Sequence, residues 1–156
     1  MRLRVLLALT GVLGCVAAAA AEPRTYQLDP FGQATGGFAG CPAGKPPVLT
    51  EQEMRVQAHE RAERGTSCCL AGTCECGGAY KRDPEINDRV IAAIHADKRF
   101  RDTSVWVTTM RKFVTLQGCV RNPPQGKALE HLVKRQPDVA LVWNETIVGI
   151  TPPGKK

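Results

Sequence analysis

The chain has 156 residues, 21 Lys and Arg against 15 Asp and Glu, a hydrophobic fraction of 43% and seven cysteines. That length fits one small domain with an extension and excludes a large multidomain enzyme. The apolar content excludes a fully disordered chain, and so many cysteines point away from a reducing compartment if an export signal is present.

Met1–Ala21 has the form of such a signal. Arg2 and Arg4 precede the apolar run Val5–Leu13 and the small residues Ala17–Ala21. A charged start, a short apolar run and a small-residue cut site make a secretory leader. The run is shorter than the roughly 20 apolar residues that cross a bilayer. Cleavage after Ala21 is expected, with the mature chain exported. Val12-Leu13-Gly14-Cys15 offers a rival cut that resembles a lipobox, in which Cys15 would be lipidated and anchor the protein to the envelope. The leader holds two Arg and no acidic residue, so residues 22–156 carry a formal +4 and six cysteines.

Residues 22–83 are rich in Gly, Pro, Ala and Cys. Tyr26–Pro47 shows neither helical nor strand period and is expected to be irregular. Thr50-Glu51-Gln52-Glu53 matches a capping box, predicting a helix from Glu51 to about Arg64 with Gly65 just beyond its end. Its apolar side is thin (Met54, Ala58, Ala62), so the helix alone is marginal. Cys68, Cys69, Cys74 and Cys76 lie within nine residues. Cys68–Cys69 and Cys74–Cys76 are too closely spaced to bridge comfortably, which makes Cys41 and Cys119 the expected outside partners. The connectivity stays open. Disulfides suit an exported segment with little core. The alternative use of four thiols is zinc or Cu(I), although the spacing is not the paired C-x2-C of structural zinc sites.

From Asp83 onward periodicity appears. Asp83 is placed to cap, Pro84 suits the first helical position, and Ile86, Val90, Ile91 and Ile94 form an apolar stripe ending near Asp97. Val105–Thr109 and Phe113–Val120 read as a hairpin turning at Met110-Arg111-Lys112. Pro123-Pro124 opens a second helix with Ala128, Leu129, Leu132 and Val133 inward, ending before Pro137. Val139–Val148 closes as a third strand, and residues 151–156 form a basic tail. The predicted fold class is α+β. Two helices lie on a three-stranded mixed sheet in the order α-β-β-α-β over residues 84–150, preceded by a Cys-rich, mostly irregular segment with one helix.

Ile86–Val148 resembles a BON domain. The resemblance rests on the first helix with its short charged linker, Val105 and Val107, then Val114-Thr115-Leu116-Gln117-Gly118-Cys119-Val120, and Val139, Val142 and Asn144 before Val148. Arg111-Lys112 stands where the family has an Asp-Gly-like turn, Asp138 where it has Gly, and Thr146 where it tends to have an apolar residue. The resemblance implies a non-enzymatic module of periplasmic proteins linked to envelope integrity, associated with phospholipid surfaces. It supplies no catalytic residues.

Lys and Arg decorate nearly every soluble α/β domain, and the alternative to that ordinary solvated surface is attachment to an anionic one. Chain direction gathers Arg111, Lys112, Lys134 and Arg135 at one end of the domain, and Lys98, Arg99, Arg101, Arg121 and Lys127 at the other. Near an anionic membrane each is worth about 1 kcal/mol, screened by salt. Trp106 and Trp143 are expected to pack on the sheet, with interfacial contact the alternative. Another envelope protein docking on the basic ends or an exposed sheet edge is the rival partner, whereas nucleic acid and small-molecule substrates are not expected. His59, His95 and His131 fall on three different helices without ligand or triad spacing, and no nucleotide or nucleophile motif occurs, so neither catalysis nor a cofactor is expected.

Overall fold

A computed structural model describes residues 24–73, 75–76 and 78–149. The leader with Cys15, Cys74 of the thiol cluster and the basic tail lie outside the described residues.

The architecture is α+β, a four-stranded mixed sheet with three helices. In chain order the elements are β1 (Phe31–Gly36), α1 (Glu51–Leu70), α2 (Asp83–Ala96), β2 (Ser104–Met110), β3 (Phe113–Val120), α3 (Pro123–Lys134) and β4 (Leu141–Val148), with one 3-10 turn at Lys98–Phe100. The sheet order is β1-β2-β3-β4; β1–β2 and β2–β3 are antiparallel and β3–β4 is parallel.

The expected three-stranded sheet is therefore corrected to four. The added strand comes from the stretch expected to be irregular. Phe31-Gly32-Gln33-Ala34-Thr35-Gly36 carries no apolar alternation because α2 crosses it closely. Only Ala34 is buried, and a Cβ on Gly32 would meet Ile91 Cδ1 at 2.6 Å. Next to the strand, Gly37 allows the backbone to approach Arg101, whose carbonyl oxygen a Cβ would meet at 1.9 Å.

The helices α2 and α3 cover one face of the sheet. Their stripes bury Ile86, Val90, Ile94, Leu129 and Val133 against Val105, Val107, Val114, Leu116, Val120 and Val142, with Phe100 closing the end. Each large apolar side chain so buried stabilises the fold by roughly 1.5–3 kcal/mol.

The capping box at the start of α1 is present, Thr50 and Glu53 each bonding the other's backbone N–H. The helix does not stop near Arg64. It runs through Gly65 to Leu70 and carries Cys68 and Cys69 on its last turn.

The disulfide pairing also differs from expectation. Cys41 and Cys119 bond each other across 78 residues, and Cys69 bonds Cys76 within the cluster. Extension of the helix explains the second bridge. The chain turns back at Gly72, which has a φ of 69°, and brings Cys76 to a Cα separation of 4.9 Å from Cys69. Cys68 is disulfide-bonded as well.

Candidate interaction surface

The two ends of the sheet and its helix-free face hold the chemistry singled out in the sequence. At one end lies the β2–β3 turn, where Arg111 and Lys112 both take left-handed backbone angles (φ 55° and 67°). Two such residues make the tight turn that follows the twist of a hairpin. Neither is Gly or Asn, and the turn is held from outside. The buried carboxylate of Asp83 accepts the backbone N–H groups of Arg111 (2.6 Å) and Lys112 (2.8 Å). Asp83 was expected to cap α2. It is instead the first residue of that helix, and its side chain is committed to the turn. Burial raises the Asp83 carboxyl above its ordinary value, against the lowering effect of those two bonds.

Asp138 stands beside the same turn with a φ of 64°, a backbone conformation that favours glycine. Its carboxylate pairs with Arg82 (3.3 Å), Arg89 (3.8 Å) and Lys112 (3.8 Å). The N–H of Ala140 donates to the carbonyl of Lys112, bringing the chain after α3 to this end. Lys134 pairs with Glu130 one helical turn back. Of the four cations expected here, Lys112 and Lys134 are thus matched by carboxylates. Arg111 and Arg135 make no ion pair among the described residues. The guanidinium of Arg111 lies 5.9 Å from the ring centre of Phe113.

The opposite end holds the other five. Arg99 is clamped to Asp97, whose carboxyl that bond draws below its usual range, and Arg121 pairs with Asp102 at 3.4 Å while its guanidinium stacks on Phe38. Lys98, Arg101 and Lys127 make no ion pair among the described residues.

The helix-free face joins the two ends. Its rows are Trp106 and Met110 on β2, Phe113 and Gln117 on β3, and Leu141, Trp143, Glu145 and Ile147 on β4. Residues 41–45 cover the half nearer Cys119. Cys41 is bonded to Cys119, Lys45 N–H donates to the Gln117 side chain (3.1 Å), and Gly44 lies so close to Trp106 that a Cβ would meet Cγ at 2.5 Å. This is where Trp106 packs. The other half, beside the hairpin turn, is open. There Trp143 is 54% exposed rather than packed into the sheet, and its ring meets Phe113 edge-on at 6.2 Å.

The edge of β4 is open in the sheet order but blunted at its centre. The Asn144 amide donates to the carbonyl of Gly126 on α3 (2.9 Å), and its oxygen accepts the N–H (3.1 Å) and hydroxyl (2.6 Å) of Thr146. The Thr146 hydroxyl completes this bridge.

The order α2-β2-β3-α3-β4, with a glycine of φ 120° at position 118 under the Ser104 carbonyl, coincides with the strongest sequence signature. Residues 82–149 match the family model of the BON domain. This segment is a BON domain. No curated protein and no solved structure matches the chain. Outside the BON domain, the N-terminal segment adds β1 to its sheet and the Cys41 bridge to its outer face. Arg61 fastens α1 to the body. It pairs with the buried carboxylate of Asp29 (2.6 Å) and stacks 3.9 Å above Tyr80.

His59, His95 and His131 stand on α1, α2 and α3 respectively. His59 meets Glu63 and His95 the Ala34 carbonyl. Among the described residues no group of three or more His, Cys, Asp and Glu is placed to hold a metal, and no helix is long and apolar enough to cross a membrane. Sequence reasoning missed three elements of the surface: the carboxylate that holds the turn, the loop that covers half the face, and the amide that blunts the edge. Each joins residues far apart in the chain. The alternation of β4, with Leu141, Trp143 and Ile147 against Val142, was the available sign of an apolar outer row.

Proposed function

We propose that the protein is a non-catalytic, exported component of the bacterial envelope whose BON domain attaches to a membrane surface bearing anionic phospholipid, in envelope maintenance. The BON domain supports an interaction module rather than an enzyme, and the disulfides are consistent with a chain that works outside the cytoplasm. Cleavage of the leader after Ala21 delivers it to the periplasm, with lipidation of Cys15 the alternative route to the same surface.

One observation carries the reading. Once the ion pairs with Asp97, Asp102, Glu130 and Asp138 are formed, Arg111 and Arg135 at one end, and Lys98, Arg101 and Lys127 at the other, remain without one among the described residues. Such residual cations attract phosphate headgroups at about 1 kcal/mol each and are screened over roughly 8 Å at physiological salt. The reading of the cysteines as metal ligands draws less support. The sulfurs of Cys41, Cys69, Cys76 and Cys119 are bonded to one another and are not thiolates.

The test replaces Lys98, Arg101, Arg111, Lys127 and Arg135 together with Gln and measures partitioning onto phosphatidylglycerol vesicles. One end faces the membrane at a time, so the expected loss is roughly 2 kcal/mol. Unchanged partitioning would exclude electrostatic attachment through these residues.

A further inference from the structure

We infer that the open half of the outer sheet face, rimmed by the β2–β3 turn, is the surface that meets the lipid, with Trp143 and Leu141 entering the headgroup layer. This rests on the phospholipid reading above and adds which of the two basic ends is used, and how.

Both ends offer unpaired cations, but only the turn end combines them with an exposed aromatic ring. Trp143 is 54% exposed and Leu141 40%, adjacent on the outer row of β4. Trp143 meets Phe113 edge-on and the Arg111 guanidinium lies 5.9 Å from the centre of that same ring, so cation and aromatic rings form one continuous surface. An indole with an apolar body and a polar N–H favours the headgroup level of a bilayer, and an arginine beside it meets phosphate at the same depth. The acids nearest the turn are already occupied, Asp83 by two backbone N–H groups and Asp138 by three cations. Glu145 lies on the same row towards the covered half, where the Gln117 amide donates to it. At the far end the exposed apolar residues of β4 are Ile147 and Val148, and the ring there, Phe38, is buried beneath Arg121.

The fold also argues against a protein strand as the occupant. A partner strand would need the outward N–H of Thr146 at the centre of the β4 edge, and Asn144 occupies it. The disulfide-held loop 41–45 closes the other half of the face. What remains is a short aromatic and basic surface suited to lying flat on an anionic bilayer.

The experiment uses the protein as its cell processes it, disulfides intact, carrying Trp106→Phe so that fluorescence reports Trp143 alone. With phosphatidylglycerol vesicles the Trp143 emission is expected to shift to the blue and to be quenched by brominated acyl chains. In the wild-type background, Trp143→Ser with Leu141→Ser is expected to weaken partitioning about tenfold or more, because two exposed apolar side chains no longer enter the interface. Binding that leaves Trp143 emission and quenching unchanged, together with equal partitioning of the double variant, overturns this inference while the phospholipid reading stands. Failure of the wild-type protein to bind any vesicle overturns both. Retained partitioning to Lys98→Gln/Arg101→Gln/Lys127→Gln protein supports the assignment to the turn end.

Discussion

Asp83 shows how much one side chain can decide. The residue is 1% exposed at the start of α2, and its carboxylate holds two left-handed residues of a turn 28 and 29 positions away. Asp83→Asn leaves one acceptor for two N–H donors and should cost roughly 1–3 kcal/mol at neutral pH, read from urea unfolding. The pH dependence has a definite sign. The folded pKa is raised, so the folded state binds its proton more tightly than the unfolded chain does. The stability this linkage contributes is complete below the unfolded value and is lost as pH rises through the folded one. The gap between wild type and Asp83→Asn should therefore widen as pH is lowered through the carboxylate range, and a gap that closes would contradict the burial argument. Gly118 is equally constrained. With φ at 120° and the Ser104 carbonyl oxygen 2.0 Å from any added Cβ, Gly118→Ala should destabilise the protein by about 3 kcal/mol or more, measured the same way. The importance of Gly118 was legible in the sequence through its place in Leu116-x-Gly118-x-Val120. The reach of Asp83 was not, since Asp-Pro before an apolar stripe reads as a helix start and says nothing of a distant turn.

At the scale of elements, what the sequence made visible follows from periodicity. The stripe of α2 and the alternation of β2 and β3 were readable because their partners are large apolar side chains on one face. The strand β1 was not, because its partner α2 comes so close that Gly and Ala replace the expected large residues. The length of α1 was missed for a different reason. Gly65 reads as a stop, yet the helix continues to the disulfide of its last turn. On β4, Asn144 serves both packing and protection. Asn144→Ala strips partners from the Gly126 carbonyl and the Thr146 N–H and should cost about 1–3 kcal/mol. It also unmasks the edge, so concentration-dependent self-association by analytical ultracentrifugation is expected in the variant and not in the wild type.

For the whole molecule, the two described disulfides act at different ranges. The Cys41–Cys119 bridge closes 78 residues and binds the N-terminal segment over the sheet, whereas Cys69–Cys76 closes seven at the tip of α1. Chain entropy assigns the first about 4–5 kcal/mol and the second about 2 kcal/mol. Replacing both cysteines of each pair with Ser should lower the urea midpoint far more for the first, and should uncover the loop 41–45 half of the outer face. The thiol cluster made an oxidised segment legible, but not its map. Cys41 meets Cys119 only because the loop 41–45 crosses the outer face of a sheet that the sequence alone does not assemble. The basic ends were likewise legible as places and not as free charge, since Asp97, Asp102, Glu130 and Asp138 each pair with a cation counted there. What survives that pairing, beside an exposed Trp143, is the basis for reading the protein as a membrane-attached module. Flotation of the oxidised protein on phosphatidylglycerol and on phosphatidylcholine vesicles, at low and at physiological salt, tests that reading most directly. Binding to the anionic vesicles alone, weakening as salt rises, is expected. Equal binding to both lipids, or binding to neither, would contradict it.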